Sequence, residues 1–197
     1  MKPLAIALAA AAVSLAGCTT PAAEAPPVAS ADPTSPLSAP GFMAMAASSD
    51  QFEIQSSQLA LQMSRDPQVR AFAQTMIDHH QRTTAELTQI AQANGMAPPP
   101  PVLMPNHQAM IDRLRATPMG EFDAAYKREQ IASHQEALTL MQNYAAQGDT
   151  PPLRDFAART APVVQQHLVQ AQGLPEMTMA PPPPTQQPVP SRAGERG

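Results

Sequence analysis

The chain has 197 residues, enough for one ordinary domain, but 24 are proline and two stretches are rich in Ala, Pro and Ser, so part of it lies outside any packed core. Aromatic residues make up only 4%, Trp is absent, and abundant Ala, Gln and Met favour helices with small, flexible core side chains over sheets. The formal charge of -4 is mild and its acids and bases are interspersed, which argues against a nucleic-acid partner and leaves no basic patch for anionic lipid.

The chain opens with Met1 and Lys2, followed by an Ala/Leu-rich run from Leu4 to Leu15. A short positive start and an apolar run too brief to span a bilayer read as a signal peptide over residues 1–17. It ends in Leu15-Ala16-Gly17-Cys18, which resembles a bacterial lipobox, and Cys18 is the single cysteine of the chain. Lipidation at Cys18 leaves no free thiol and no disulfide. Several acyl chains, at about 0.8 kcal/mol per buried methylene, hold a protein stably on its bilayer. The expected partner is therefore a lipid bilayer, and the expected location is the cell envelope, facing the periplasm. By resemblance to other lipoproteins, Thr19 in the next position favours the outer membrane. From Cys18 to Pro40 the sequence is mainly Pro, Ala, Ser and Thr, a composition that reads as a flexible tether. The stretch 175–197, with Pro181 to Pro184 and Pro188-Val189-Pro190, reads as a disordered tail favouring polyproline II.

Between them, residues 41–174 form the expected folded domain. Four segments carry helical apolar spacing: about Phe42 to Ser64, Pro67 to Asn94, Met119 to Gln147 and Pro152 to Gln172. Asp66-Pro67 is an N-cap followed by proline at the first helical position. Asn94-Gly95 stops the second segment ahead of the Pro98 to Pro101 run. Gly148-Asp149-Thr150-Pro151 closes the third and starts the fourth. The connections are short, long, short, and the long one, Gly95 to Pro118, has room for a small helix from Asn106 to Ala116. This pattern predicts an all-α, ferritin-like four-helix bundle with a long crossover between helices 2 and 3, flanked by disordered tails.

Advancing 100° per residue places one inward ligand-capable side chain on each helix. In the first segment Phe42, Met45, Phe52, Leu59, Ala60 and Met63 mark the inner face, with Glu53 near its border. In the second, His80 falls mid-arc among Val69, Phe72, Met76 and Leu87, and His79 lies at the edge. His134 shares the inner side of the third with Phe122, Tyr126, Met141 and Tyr144. His167 lies within the arc of Leu153, Phe156, Val163, Val164 and Leu168 in the fourth. Glu53 and His80 differ by roughly two residues in distance from the Arg65-Asp66 turn, about 3 Å in height. His134 and His167 differ by about three residues around Gly148, roughly 4 to 5 Å. One Glu and three His therefore converge on one mid-bundle layer. His107, in the crossover, reads as a surface residue, and the scattered Met residues read as ordinary packing.

At these residues the chain resembles the family catalogued as domain of unknown function 4142, whose members are often exported and are placed among ferritin-like folds. The resemblance spans about Phe42 to Ala171. It rests on Phe42, Glu53-Ile54, Leu59-Ala60, Val69-Arg70-Ala71-Phe72-Ala73, Met76-Ile77-Asp78-His79-His80, Glu86-Leu87, Phe122-Asp123, Tyr126, His134, Pro162 and His167-Leu168. The family usually carries Asp-His with an Asn four residues on; here His79 and Thr84 stand in the Asp and Asn places. The resemblance implies a fold and a compartment and supplies no reaction.

Glu53, His80, His134 and His167 offer one carboxylate and three imidazoles, a donor set suited to a transition metal such as zinc, copper or iron. A di-iron centre of ferritin type has a Glu three residues before each of two His; Ile77, Ile131 and Val164 occupy those places here. No base, nucleophile and oxyanion donor can be paired, so the chain reads as a binding protein more than an enzyme. The alternative is a non-catalytic envelope or stress protein whose buried Glu/His layer is purely structural, fixing helix register through hydrogen bonds.

Overall fold

The computed structural model describes residues 32–175. The signal peptide, Cys18, the first part of the tether and the tail from residue 176 lie outside the described residues. The regular elements of the described chain are all helical, α1 (Ala39–Met63), α2 (Pro67–Ala93), α3 (Pro105–Ala116), α4 (Phe122–Gln147) and α5 (Pro151–Gln172), with a 3-10 turn at Met119–Glu121. The four long helices and the small crossover helix are those expected from the sequence, with ends shifted by three residues at most. None is long and apolar enough, among the described residues, to cross a membrane.

Each boundary has a local cause. Asp66 accepts hydrogen bonds from the Gln68 and Val69 amides at 2.7 and 3.1 Å, and Pro67 needs no amide partner in the first turn. α2 ends at Gly95, whose φ of 67° favours glycine. The Met96 amide donates to Ala91 O at 2.9 Å and the Gly95 amide to Gln92 O at 3.2 Å, the paired bonds of a Schellman stop. Within the stretch expected to act as a tether, residues 32–38 form successive turns, and Ala39 and Pro40 already belong to α1. Short polar side chains there cap the helix: Ser38 Oγ accepts from the Gly41 amide. Gly41 is required by close approach, since a Cβ would sit 2.1 Å from Ser35 O.

α1 packs against α2 and α4, and α5 packs against the same two, so α1 and α5 are diagonal. The Asp149 amide donates to Leu37 O at 3.1 Å, which sets the α4–α5 turn beside the start of α1. Met63, Asp66, Met119 and Asp123 meet at the opposite end. The crossover thus travels the length of the bundle, the ferritin-like connection, and α3 lies over α1 and α4 on the way.

Two apolar clusters fill the interior. One, near the α1–α2 turn, gathers Phe52, Val69, Phe72, Met76, Ile111, Leu114, Phe122 and Tyr126. The other, near the α4–α5 turn, gathers Phe42, Leu87, Met141, Tyr144, Leu153 and Phe156. Phe42 stacks on Tyr144 with ring centroids 3.9 Å apart and meets Phe156 edge-on. Two expectations are corrected. His107 is buried rather than on the surface: its Nδ1 lies 2.7 Å from Ser48 Oγ and its ring stacks 5.6 Å from that of Phe52. The crossover helix packs on α1, and Ser48 Oγ also accepts the Met104 amide at 2.7 Å. Val163, expected inside, is 39% exposed, because its neighbour Val164 occupies the core-facing place.

Candidate metal centre

Between the two clusters lies a layer of buried polar side chains. α1 supplies Asp50 and Glu53, α2 His80, α4 Gln130, Ser133 and His134, and α5 His167. Pure apolar spacing would have filled these places with Leu or Val; burying polar groups there is favourable only when each finds a partner.

His80, His134 and His167 each present a ring nitrogen such that the three atoms lie within 4.8 Å of one another, and all three side chains are buried. Ring centroids are 5.9 Å apart for His80 and His134, 5.6 Å for His80 and His167, and 5.5 Å for His134 and His167. Each ring is anchored through one nitrogen. His80 Nδ1 donates to Asp50 Oδ1 at 2.7 Å, and Thr84 Oγ1 donates to Asp50 Oδ2 at 2.9 Å. His134 Nδ1 donates to the Gln130 carbonyl at 2.8 Å. His167 Nε2 pairs with His79 Nδ1 at 2.8 Å. The other nitrogen of each ring, Nε2 of His80 and His134 and Nδ1 of His167, is buried with no hydrogen-bond partner among the described residues.

That pattern is what a metal site requires: one nitrogen fixed by an outer group, the other free to donate its lone pair. Zinc–nitrogen bonds of about 2.0 to 2.1 Å imply donors about 3.4 Å apart in a tetrahedron, so the rings must draw inward to share one ion. Imidazole sets suit zinc, copper and iron and disfavour calcium and magnesium.

Charge sorts the rings. Burial pulls His80 down, but the hydrogen bond and charge of Asp50, with the charge of Glu53, outweigh it and raise its pKa above the usual value. Burial lowers His134, with Glu53 opposing and His80 adding to the effect. His167 is pushed down to about 3 by burial and by the neighbouring His80, His134 and His79. His134 and His167 are thus neutral donors at physiological pH, and a metal cation competes for His80 with a proton that Asp50 stabilises.

The structure brings together three of the four side chains expected from sequence. Glu53 lies beside them rather than in the triad: its Oε1 accepts from Ser133 Oγ at 2.7 Å and lies 3.5 Å from His134 Nδ1, the anchored side of that ring. Its Oε2 is buried without a hydrogen-bond partner among the described residues. Sequence reasoning did not select Asp50 and left His79 at the edge. Asp50 was detectable, since Asp50 and His80 each lie fifteen residues from Arg65 and are therefore level in a tight hairpin. Thr84, in the place where the family resemblance put an Asn, orients Asp50.

Two solved structures share the fold. One, described as "CopM in the Cu(II)-bound form", has a TM-score of 0.59 and 21% identity and covers 69% of this chain and 94% of that one. The other, CopM in an Ag-bound form, has a TM-score of 0.57 and 20% identity, covering 69% and 93%. No curated protein sequence matches the chain. The family model described as "Domain of unknown function (DUF4142)" matches residues 23–174, nearly all of the described bundle, and the chain belongs to that family.

Proposed function

We propose that this chain is an exported, lipid-anchored protein that holds one transition-metal ion at His80, His134 and His167. The observation that carries the reading is the set of three buried imidazole nitrogens, each without a hydrogen-bond partner among the described residues, on rings whose other nitrogens are anchored. A purely structural layer has no use for that arrangement, because an unsatisfied buried polar group costs about 1 to 3 kcal/mol. Copper is the first ion to test, since the solved structures with this fold are of CopM bound to Cu(II) and Ag; zinc and iron follow. Asp50 holds His80, the Gln130 carbonyl holds His134, and Glu53 supplies a nearby negative charge that favours a cation. The lipobox-like Leu15-Ala16-Gly17-Cys18 supports anchoring through Cys18, and Thr19 supports placement at the outer membrane, facing the periplasm.

Protein purified without a His-tag is expected to carry close to one transition-metal ion per chain by mass spectrometry, lost on His80→Ala or His134→Ala. Added metal should also raise the melting temperature of the stripped protein, because an ion bound only to the folded state stabilises it. A metal-free protein whose melting is unmoved by Cu(II), Zn(II) or Fe(II) overturns the reading. That result leaves the second reading, a non-catalytic envelope protein with a structural Glu/His layer.

A further inference from the structure

The histidine layer is enclosed unevenly. α3 covers α1 and α4 on one flank, whereas α2 and α5 meet along the least tightly packed seam of the four long helices. Where that seam crosses the layer, His79 stands half-buried on α2, outside the triad. A narrow cavity of about 20 Å³ is lined by Asp50, His80, Thr83, Thr160, Val163 and His167, and of these Val163 is 39% exposed. His79 Nδ1 lies 2.8 Å from His167 Nε2, and the two ring centroids are 5.0 Å apart. His167 therefore sits between two sets of imidazoles, His79 toward solvent and His80 with His134 toward the interior.

We propose that His79 and His167 form an outer docking position through which a transition-metal ion passes along the α2–α5 seam to the buried triad, a step that rests on the triad being the resting site. His167 Nε2 donates to His79 Nδ1 when the triad nitrogen Nδ1 is free; when the ion takes the place between the rings, the His167 proton moves through water from Nε2 to Nδ1, the His79 proton stays on Nε2, and both imidazoles stay neutral. Moving inward breaks the bonds to His79 Nδ1 and His167 Nε2, the His167 proton returns from Nδ1 to Nε2, and the ion forms bonds to His167 Nδ1, His80 Nε2 and His134 Nε2. Two imidazoles at a half-exposed place hold an ion less tightly than three in a buried one, so transfer runs inward.

The test uses Cu(II) and the purified chain. Tyr126 packs in the interior beside this layer and the chain has no Trp, so quenching of tyrosine emission in a stopped-flow instrument reports arrival of the ion. Wild type is expected to bind one tight and one weaker equivalent. His79→Ala should keep the tight one, lose the weaker one, and load about tenfold more slowly or worse, the scale of effect seen when a group supporting a metal ligand is removed. His79→Gln, which still hydrogen-bonds His167, should load as slowly as His79→Ala. Val163→Phe, which enlarges a side chain lining the cavity without replacing a ligand, should slow loading with His79 intact. Unchanged loading in His79→Ala, or wild-type loading restored by His79→Gln, overturns the docking role while leaving the triad standing. Loss of the tight ion in His79→Ala overturns it too, making His79 a resident ligand. If wild type binds none of Cu(II), Zn(II) and Fe(II), both the triad and its access route fall.

Discussion

The two apolar clusters and the polar layer between them are built from the same four helices, yet they obey opposite rules. In the clusters each side chain is satisfied by contact alone, as where Phe42 stacks on Tyr144 and Phe156. Burial there stabilises in proportion to area. In the layer Asp50, Glu53, His80, His134 and His167 give up water and recover only part of it through hydrogen bonds. Such a layer adds little net stability, so its presence points to what it can hold. The bundle's stability and its chemistry are thus assigned to different levels along its axis.

Breaking the clusters should have the largest effect. Phe42→Ala is expected to destabilise the domain by about 3 to 5 kcal/mol in urea or guanidinium unfolding, with metal stoichiometry of the folded fraction unchanged. A smaller effect comes from the layer. Asp50→Ala leaves His80 without its acceptor and should cost about 1 to 3 kcal/mol in the metal-free protein, while weakening metal binding by about 10- to 100-fold. The double change Asp50→Leu with His80→Leu should recover most of that stability, because both partners become apolar, but not the metal site. A double variant as unstable as the single one would show that the layer supports the fold in its own right.

The smallest effect, and the most diagnostic, is on pH dependence. His134 and His167 have lowered values in the folded chain, so between the ordinary imidazole value of 6.5 and their folded values the unfolded chain binds more protons. Their contribution is present above pH 6.5 and is lost as pH falls, for His167 until about 3. His80 has the opposite sign: its pairing with Asp50 stabilises fully below 6.5 and fades as pH rises through its raised folded value. Metal-free wild type should therefore lose stability on acidification more steeply than His167→Asn, measured as the urea midpoint from pH 7 to pH 4. Parallel profiles would mean that His167 does not carry a depressed value.

What was legible in the sequence follows the same division. Asp66-Pro67, Asn94-Gly95 and the Gly148 turn act through local backbone chemistry, so they located the helix ends and hence the crossover topology. His80, His134 and His167 are legible because each shares the inward face of its helix with large apolar residues, Met76 and Leu87 on α2, Tyr126 and Met141 on α4, and Val164 and Leu168 on α5. α1 is different. Covered by α2, α4 and α3, it buries Ser48, Ser49, Asp50, Ser56 and Ser57 as well as its apolar residues. Polar residues on that helix do not mark an outer face, which is why Asp50 escaped notice and Glu53 was selected. His107 was misread for the same reason, since the helix that buries it is remote in sequence. His79 needed the seam between α2 and α5, which no single helical arc reveals.

The bundle is also threaded from pole to pole. Among the described residues the N-terminal end lies beside the α4–α5 turn at Leu37, whereas Ala171 and Leu174 at the C-terminal end pack into the cluster by the α1–α2 turn. A helix of 22 residues such as α5 spans about 33 Å, so the two points of attachment stand far apart and the seam carrying His79 opens on the flank between them. Contacts made at either end of the described bundle therefore leave the flank that carries the histidines uncovered.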